Sequence, residues 1–225
     1  MRWTDVFFAH WPVPVDAVRP LIAPGLEIER FDGTAWLTIA SLQISSLAPR
    51  FFPSLPGISA FPQLNVRTYV TSGGKPGVWF FSLDAADVLA VIGTRMVFHL
   101  PYVRALMTMN QVGGTVSFSS RRRDPFFPQA EFRAEYRSLG DPQPATGGAL
   151  DAFLAERYCL YAADRDGRLY RSEVHHCPWP VQDVEAAILE NTMHTAAGVR
   201  LPDLKPLVRY ASRMDVLAWS SKRIS

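Results

Sequence analysis

The stretch Leu64-Asn65-Val66-Arg67-Thr68-Tyr69-Val70, followed by Ser72-Gly73-Gly74 and then Val78-Trp79-Phe80-Phe81-Ser82-Leu83, reads as a β-hairpin. Successive side chains of a strand point to opposite faces, so Asn65, Arg67 and Tyr69 share one face and Leu64, Val66 and Val70 the other. The glycine pair supplies the positive φ angles that a tight turn requires. Other segments repeat the pattern. Asp32-Gly33 separates Leu26–Phe31 from Ala35–Ile44, and Gly113-Gly114 separates Val103–Met109 from Thr115–Ser120. A fourth hairpin is expected at Tyr158–Ala162, the Asp164–Gly167 turn and Arg168–His176. Glu131–Arg137 alternates Phe132, Ala134 and Tyr136 with charged residues, as a half-solvated strand does, and Val208 to Trp219 reads as a last strand.

Helical signals are few. Asp151 to Arg157 places Leu150, Phe153 and Leu154 on one stripe. Gln182 to Ala197 sets Val184, Ala187 and Ile188 in helical register with Gly198 as its C-terminal cap. Ala85 to Ile92 fits a short helix or an irregular crossover, and Gly140 to Gly148 has the composition of a loop. The 18 prolines favour short strands over long helices. No repeat, low-complexity tract or linker divides the chain, so residues 1–225 are expected to form one domain. Many hairpins with a few small helices give a mainly β (β-rich α+β) class, with a barrel or a curved, stacked pair of sheets. A doubly wound parallel sheet would need helices between nearly all strands.

The formal charge of +2 and the single basic run Arg121-Arg122-Arg123 argue against a nucleic-acid partner. That run, before Asp124-Pro125-Phe126-Phe127-Pro128, is expected to be a solvated loop. No stretch approaches the ~20 apolar residues that span a bilayer, so no membrane association is expected. The first residues lack the pattern of a secretory signal. Two cysteines, Cys159 and Cys177, suit a reducing compartment, so a cytoplasmic protein is expected. Adjacent His175 and His176 on a strand point to opposite faces and chelate one ion poorly. Neither a metal nor a cofactor is expected.

The strings Leu64–Val70, Pro76-Gly77-Val78-Trp79-Phe80-Phe81-Ser82-Leu83-Asp84 and Glu156-Arg157-Tyr158-Cys159-Leu160-Tyr161 resemble the bacterial YqjF-like family, a domain of unknown function. Phe8-Ala9-His10-Trp11-Pro12 and Val174-His175-His176-Cys177-Pro178-Trp179-Pro180 extend the resemblance over nearly the whole chain. More distantly, this family is similar to the acetoacetate decarboxylase superfamily. That resemblance implies a closed antiparallel β-barrel, an interior site and peripheral helices. The decarboxylases carry a glycine-arginine-glutamate segment and a proline-lysine pair whose lysine forms a Schiff base. The corresponding stretch here is Gly93-Thr94-Arg95-Met96-Val97-Phe98-His99-Leu100-Pro101-Tyr102, with Tyr102 in the lysine's place. A Schiff base requires a primary amine, which tyrosine lacks. Decarboxylation through an imine is therefore excluded.

His99 and Tyr102 flank Pro101 and are candidates for acid-base catalysis, against a bland role beside a turn. Asn65, Arg67 and Tyr69 are candidate ligand-binding residues if their face looks into the barrel, and a solvated face if it looks outward. Arg95 is a second candidate clamp for a carboxylate. Glu173 and His175 face the same way and form either an acid-base pair or a surface ladder of charges. His10 and His194 read as structural, and Cys159 as an inert core thiol. The expected ligand is a small carboxylate or keto acid. An enzyme using His99 and Tyr102, a non-catalytic sensor or carrier, and a structural protein that forms homo-oligomers are the three rival readings.

Overall fold

The computed structural model describes residues 1–46, 60–86 and 99–225. The first strand, β1 (Arg2–Val13), is followed by a single turn of helix, α1 (Val15–Val18), and by β2 (Glu27–Ile28) and β3 (Ala35–Ser45). The deciding hairpin is β4 (Phe61–Ser72) and β5 (Lys75–Ala85), turned by Gly73 and Gly74 at φ 59° and 71°. Next come β6 (Tyr102–Val112), β7 (Thr115–Arg122), β8 (Glu131–Pro144) and α2 (Ala149–Ala155). The chain finishes with β9 (Cys159–Ala163), β10 (Leu169–His175), β11 (Pro180–Asn191), α3 (Met193–Ala196), β12 (Leu207–Asp215), β13 (Leu217–Ala218) and β14 (Lys222–Arg223).

Pairing runs β5-β6-β7-β8-β11-β12-β1-β3-β4 and returns from β4 to β5, which closes the sheet on itself. The pairs are antiparallel except that β5 runs parallel to β6 and to β9. Strands β6, β7 and β8 bury one face and expose the other. By contrast, β1, β3, β4 and β5 are buried on both sides. One side of these central strands joins a cluster with Phe7, Ile39, Val66, Phe118, Phe132 and Tyr136. The opposite side, with Phe8, Ala40 and Tyr69, packs against Leu154 of α2, Val174 of β10 and Trp179.

Four expectations are corrected. The segment 182–197 is not one helix: β11 occupies it through Asn191 and pairs with β8, and only Met193–Ala196 is helical. Val184, Ala186 and Ile188 alternate with Glu185, Ala187 and Leu189, a period-two pattern that the spacing of 184, 187 and 188 concealed. Gly198, at φ 79°, does follow that short helix. Leu26–Phe31 does not pair with β3: Phe31 makes only an isolated bridge to Thr34, and β2 joins β4 instead. The stretch from Gly140 begins as strand, since β8 continues to Pro144 against β11. The expectation for Ala85 to Ile92 falls almost wholly outside the described residues.

The basic run is likewise no solvated loop. Arg121 and Arg122 end β7, and Arg122 is only 2% exposed, its Nε donating to Asp84 at 2.7 Å and one NH2 to Ser82 at 2.6 Å. Asp84 is fully enclosed, and burial raises its carboxyl against the pull of Arg122. Removing one member of such a pair strands a charge in the interior. Asp84→Ala is therefore expected to lower unfolding free energy by about 3–5 kcal/mol, read from urea midpoints. A loss below ~1 kcal/mol, the range of an exposed pair, would contradict this placement.

Candidate functional site

Registers across the three central strands bring the candidate residues into rows. His10 on β1 lies opposite Thr38 on β3, and Thr38 lies opposite Arg67 on β4. One row away, Phe8 lies opposite Ala40, and Ala40 opposite Asn65. Cross-strand neighbours on one face are close enough to interact. Small side chains at Thr38 and Ala40 therefore form a low floor between Phe8 and His10 on one flank and Asn65 and Arg67 on the other. A bulge in β5 reinforces the arrangement: Val66 pairs with Ser82 and Arg67 with Phe80, leaving Phe81 as the extra residue. The bulge changes which β5 side chains face this floor, so that Phe80 and Leu83 do while Ser82 and Asp84 turn to Arg122.

Electrostatically the row is unusual. Arg67 is 8% exposed, and its guanidinium carbon lies 5.4 Å from the centre of the Phe8 ring. Its Nε–H, like the Oδ1 of Asn65, is buried with no hydrogen-bond partner among the described residues. Among the described residues no carboxylate forms an ion pair with it. Among the described residues the other two buried arginines are treated differently: Arg122 has Asp84, and Arg157 has Glu29. A buried cation left unpaired is costly unless something else supplies the counter-charge.

Around this centre the remaining candidates separate. Tyr69 is fully buried and its hydroxyl donates to the Leu154 carbonyl at 3.0 Å, within 2.7 Å of Thr38 Oγ1. Its ring packs on Phe153, so Tyr69 anchors α2 to β4. Tyr102, at the start of β6, is buried in the same cluster, and its hydroxyl accepts from Gln63 Nε2 at 3.0 Å. Gln63 belongs to the face that carries Asn65 and Arg67. His99 adopts φ 55° and stacks on Tyr170 with ring centres 4.1 Å apart, its Nδ1 buried without a partner. Arg95 lies outside the described residues.

Glu173 and His175 sit apart from the row, on an open groove of about 400 Å³ that also exposes Lys75, Tyr158 and Trp219. Lys75 donates to Glu173 at 2.9 Å and Arg171 lies 3.6 Å from it. His176 turns inward and bonds main-chain carbonyls of Cys177 and Arg157. No cluster of metal-ligating side chains occurs among the described residues. No helix among them is long and apolar enough to cross a membrane.

His10, which the sequence reads as structural, stands in the same row. It is enclosed, and its Nδ1 lies 2.8 Å from Thr38 Oγ1. Burial, with Arg67 and Arg209 nearby, holds its imidazole well below the usual value. The alternation Phe8-Ala9-His10 opposite Thr38 would have exposed it, but the dense prolines that follow hid the strand.

Among the described residues no counter-charge offsets the burial of the Arg67 charge. Replacing it with an apolar side chain of similar reach, Arg67→Met, is expected to raise the stability of the ligand-free protein by roughly 1–4 kcal/mol. Denaturant unfolding checks this, and a destabilised variant would mean that Arg67 holds the fold together.

Comparison with known proteins agrees with this architecture. The chain matches the model of DUF2071, a family of uncharacterized conserved proteins, over residues 1–215. It is 44% identical over 223 residues to the uncharacterized protein YqjF of Bacillus subtilis, covering 99% of this chain and 91% of that one. Among solved structures it is similar to the enduracididine biosynthesis enzyme MppR complexed with pyruvate, with a TM-score of 0.66 at 15% identity. That likeness covers 100% of this chain and 89% of the other. The acetoacetate decarboxylase of Legionella pneumophila gives a TM-score of 0.65 at 10% identity, over 100% of this chain and 88% of that one. At such identities the likeness speaks for the fold alone. With its acetoacetate decarboxylase-like fold and its match along nearly the whole sequence, the chain belongs to the DUF2071 family.

Proposed function

We propose that this protein binds a small organic carboxylate on the face formed by Asn65 and Arg67, with Arg67 as the anchor. The observation that carries the reading is the buried Arg67 guanidinium with an unpaired Nε–H beside the unpaired Oδ1 of Asn65. A guanidinium matches a carboxylate in charge and in its fork of donors. Asn65 Oδ1 accepts a hydrogen bond from a hydroxyl or amine of the same ligand. That a structural neighbour was solved with pyruvate bound supports a ligand of this size and charge.

No covalent amine step belongs to the proposal. Lys75, Lys205 and Lys222 are the only lysines, and all three are exposed. Tyr102, which the resemblance sets in the place of the decarboxylases' lysine, is a buried phenol bonded to Gln63. Where the bound acid is turned over, Tyr102 and His99 are the groups proposed to move protons.

Thermal unfolding of the wild type and Arg67→Ala, with pyruvate, propionate, acetone and methyl pyruvate, tests the reading. A ligand at ~100 times its dissociation constant stabilises by about 2.7 kcal/mol, a shift of several degrees at this chain length. The acids are expected to raise the wild-type midpoint, and neither acid to move the variant; the neutral compounds should move neither protein. A shift that survives in Arg67→Ala, or one that the neutral compounds share, would remove Arg67 as the anchor.

A further inference from the structure

The chain His10, Thr38, Tyr69, Leu154 fixes the direction of its own hydrogens. Tyr69 has one hydroxyl hydrogen, and the Leu154 carbonyl 3.0 Å away can only accept it. The 2.7 Å contact between Thr38 and Tyr69 must then carry the hydrogen of Thr38. Thr38, having given its hydrogen to Tyr69, can only accept across the 2.8 Å contact with His10. The hydrogen of the neutral imidazole therefore lies on Nδ1, and Nε2 keeps a lone pair. No hydrogen bond among the described residues uses that lone pair.

This lone pair belongs to the same row as Arg67. Thr38 lies directly opposite both residues, so the main chains at His10 and Arg67 are two strand spacings, about 10 Å, apart across the sheet. Phe8 stacks beside His10 with ring centres 5.7 Å apart and also carries the Arg67 guanidinium over its face.

We propose that His10 is the specificity-determining acceptor of the Arg67 site and that the acid bound there carries a hydroxyl group, making it a small hydroxycarboxylate. The proposal rests on the carboxylate reading of Arg67 and names its ligand class. A hydroxyl gives its hydrogen to Nε2, whereas an oxo group would turn its own lone pairs toward it. Such a mismatch leaves two acceptors facing each other in a buried site, which discriminates strongly between ligands. Switching the imidazole to a donor is disfavoured, because Thr38 would lose its acceptor role and burial beside Arg67 and Arg209 opposes a second proton. His10 is thus a fixed reader of a donor, not a shuttle.

Two measurements on the full chain test this. Long-range proton–nitrogen NMR of the histidine rings at pH 7, with His10 assigned by His10→Gln, is expected to show a protonated Nδ1 and a lone-pair Nε2. The opposite tautomer would overturn the proposal without touching Arg67. Binding of L-lactate, 2-hydroxybutyrate and 3-hydroxybutyrate is then compared with that of pyruvate, 2-oxobutyrate and acetoacetate. At least one hydroxy acid should bind the wild type ten-fold or more tightly than its oxo counterpart. Thr38→Val should bring that ratio towards one, and Thr38→Ser, which keeps the hydroxyl, should restore it. Equal binding within every pair, lost in Arg67→Ala, sinks the hydroxyl reading while the Arg67 reading stands. A preference unchanged in His10→Gln sinks the role of His10. Absence of binding by all six acids overturns both readings.

Discussion

Thr38 stands opposite His10 on one side and Arg67 on the other, and this register is the constraint on which the site depends. A slip of one residue in either pairing would turn the whole polar row to the other face of the sheet. The slip is prevented because β1, β3 and β4 are buried on both faces. Phe7, Ile39 and Val66 fill one cluster while Phe8, Ala40 and Tyr69 fill the other, so neither side can be exchanged for solvent. A central sheet clamped between two cores holds polar side chains with little freedom, which is what a preorganised binding face requires. The small residues Thr38 and Ala40 keep the middle of that face low.

The arginines show what is special about the face. Arg122 is compensated inside the fold by Asp84 and Ser82, and Arg157 by Glu29, with its guanidinium also laid on Phe153. Both belong to structural joints: the first ties β7 to β5, the second ties α2 to the segment after β2. Arg67 has Phe8 beneath it and no acid beside it among the described residues. A cation–π contact contributes on the order of 1–2 kcal/mol and does not replace a counter-ion. The fold resembles that of acetoacetate decarboxylase.

Much of the architecture was legible in the sequence because glycine pairs punctuate it. Gly73-Gly74 and Gly113-Gly114 both take the positive φ angles expected of them, and the hairpins they close are present. The face of Asn65, Arg67 and Tyr69 followed from alternation, but not whether it met solvent, since β4 is apolar enough on its other side for either outcome. Burial came only with the packing of α2 and β10 over that face. The strand at Gln182–Asn191 was misread because Val184, Ala187 and Ile188 fit a helix as well as Val184, Ala186 and Ile188 fit a strand. Only the partner strand, β8, decides between them. His10 was unreadable for a related reason: its meaning lies in Thr38 and Arg67, which are distant in sequence and meet it only through register. Arg122 looked like one of three surface cations, and nothing local marks it as the partner of Asp84.

The central claim is that the Arg67 guanidinium awaits a carboxylate, and its own Nε–H group reports on that most directly. In proton–nitrogen spectra of the arginine side chains, assigned by Arg67→Lys, a small carboxylate should be titrated into the wild type. The account predicts that the Arg67 Nε–H resonance shifts saturably as a charge-assisted hydrogen bond forms, together with a change at the Asn65 side-chain amide. An Arg67 resonance that stays fixed while a carboxylate binds elsewhere on the protein would contradict it.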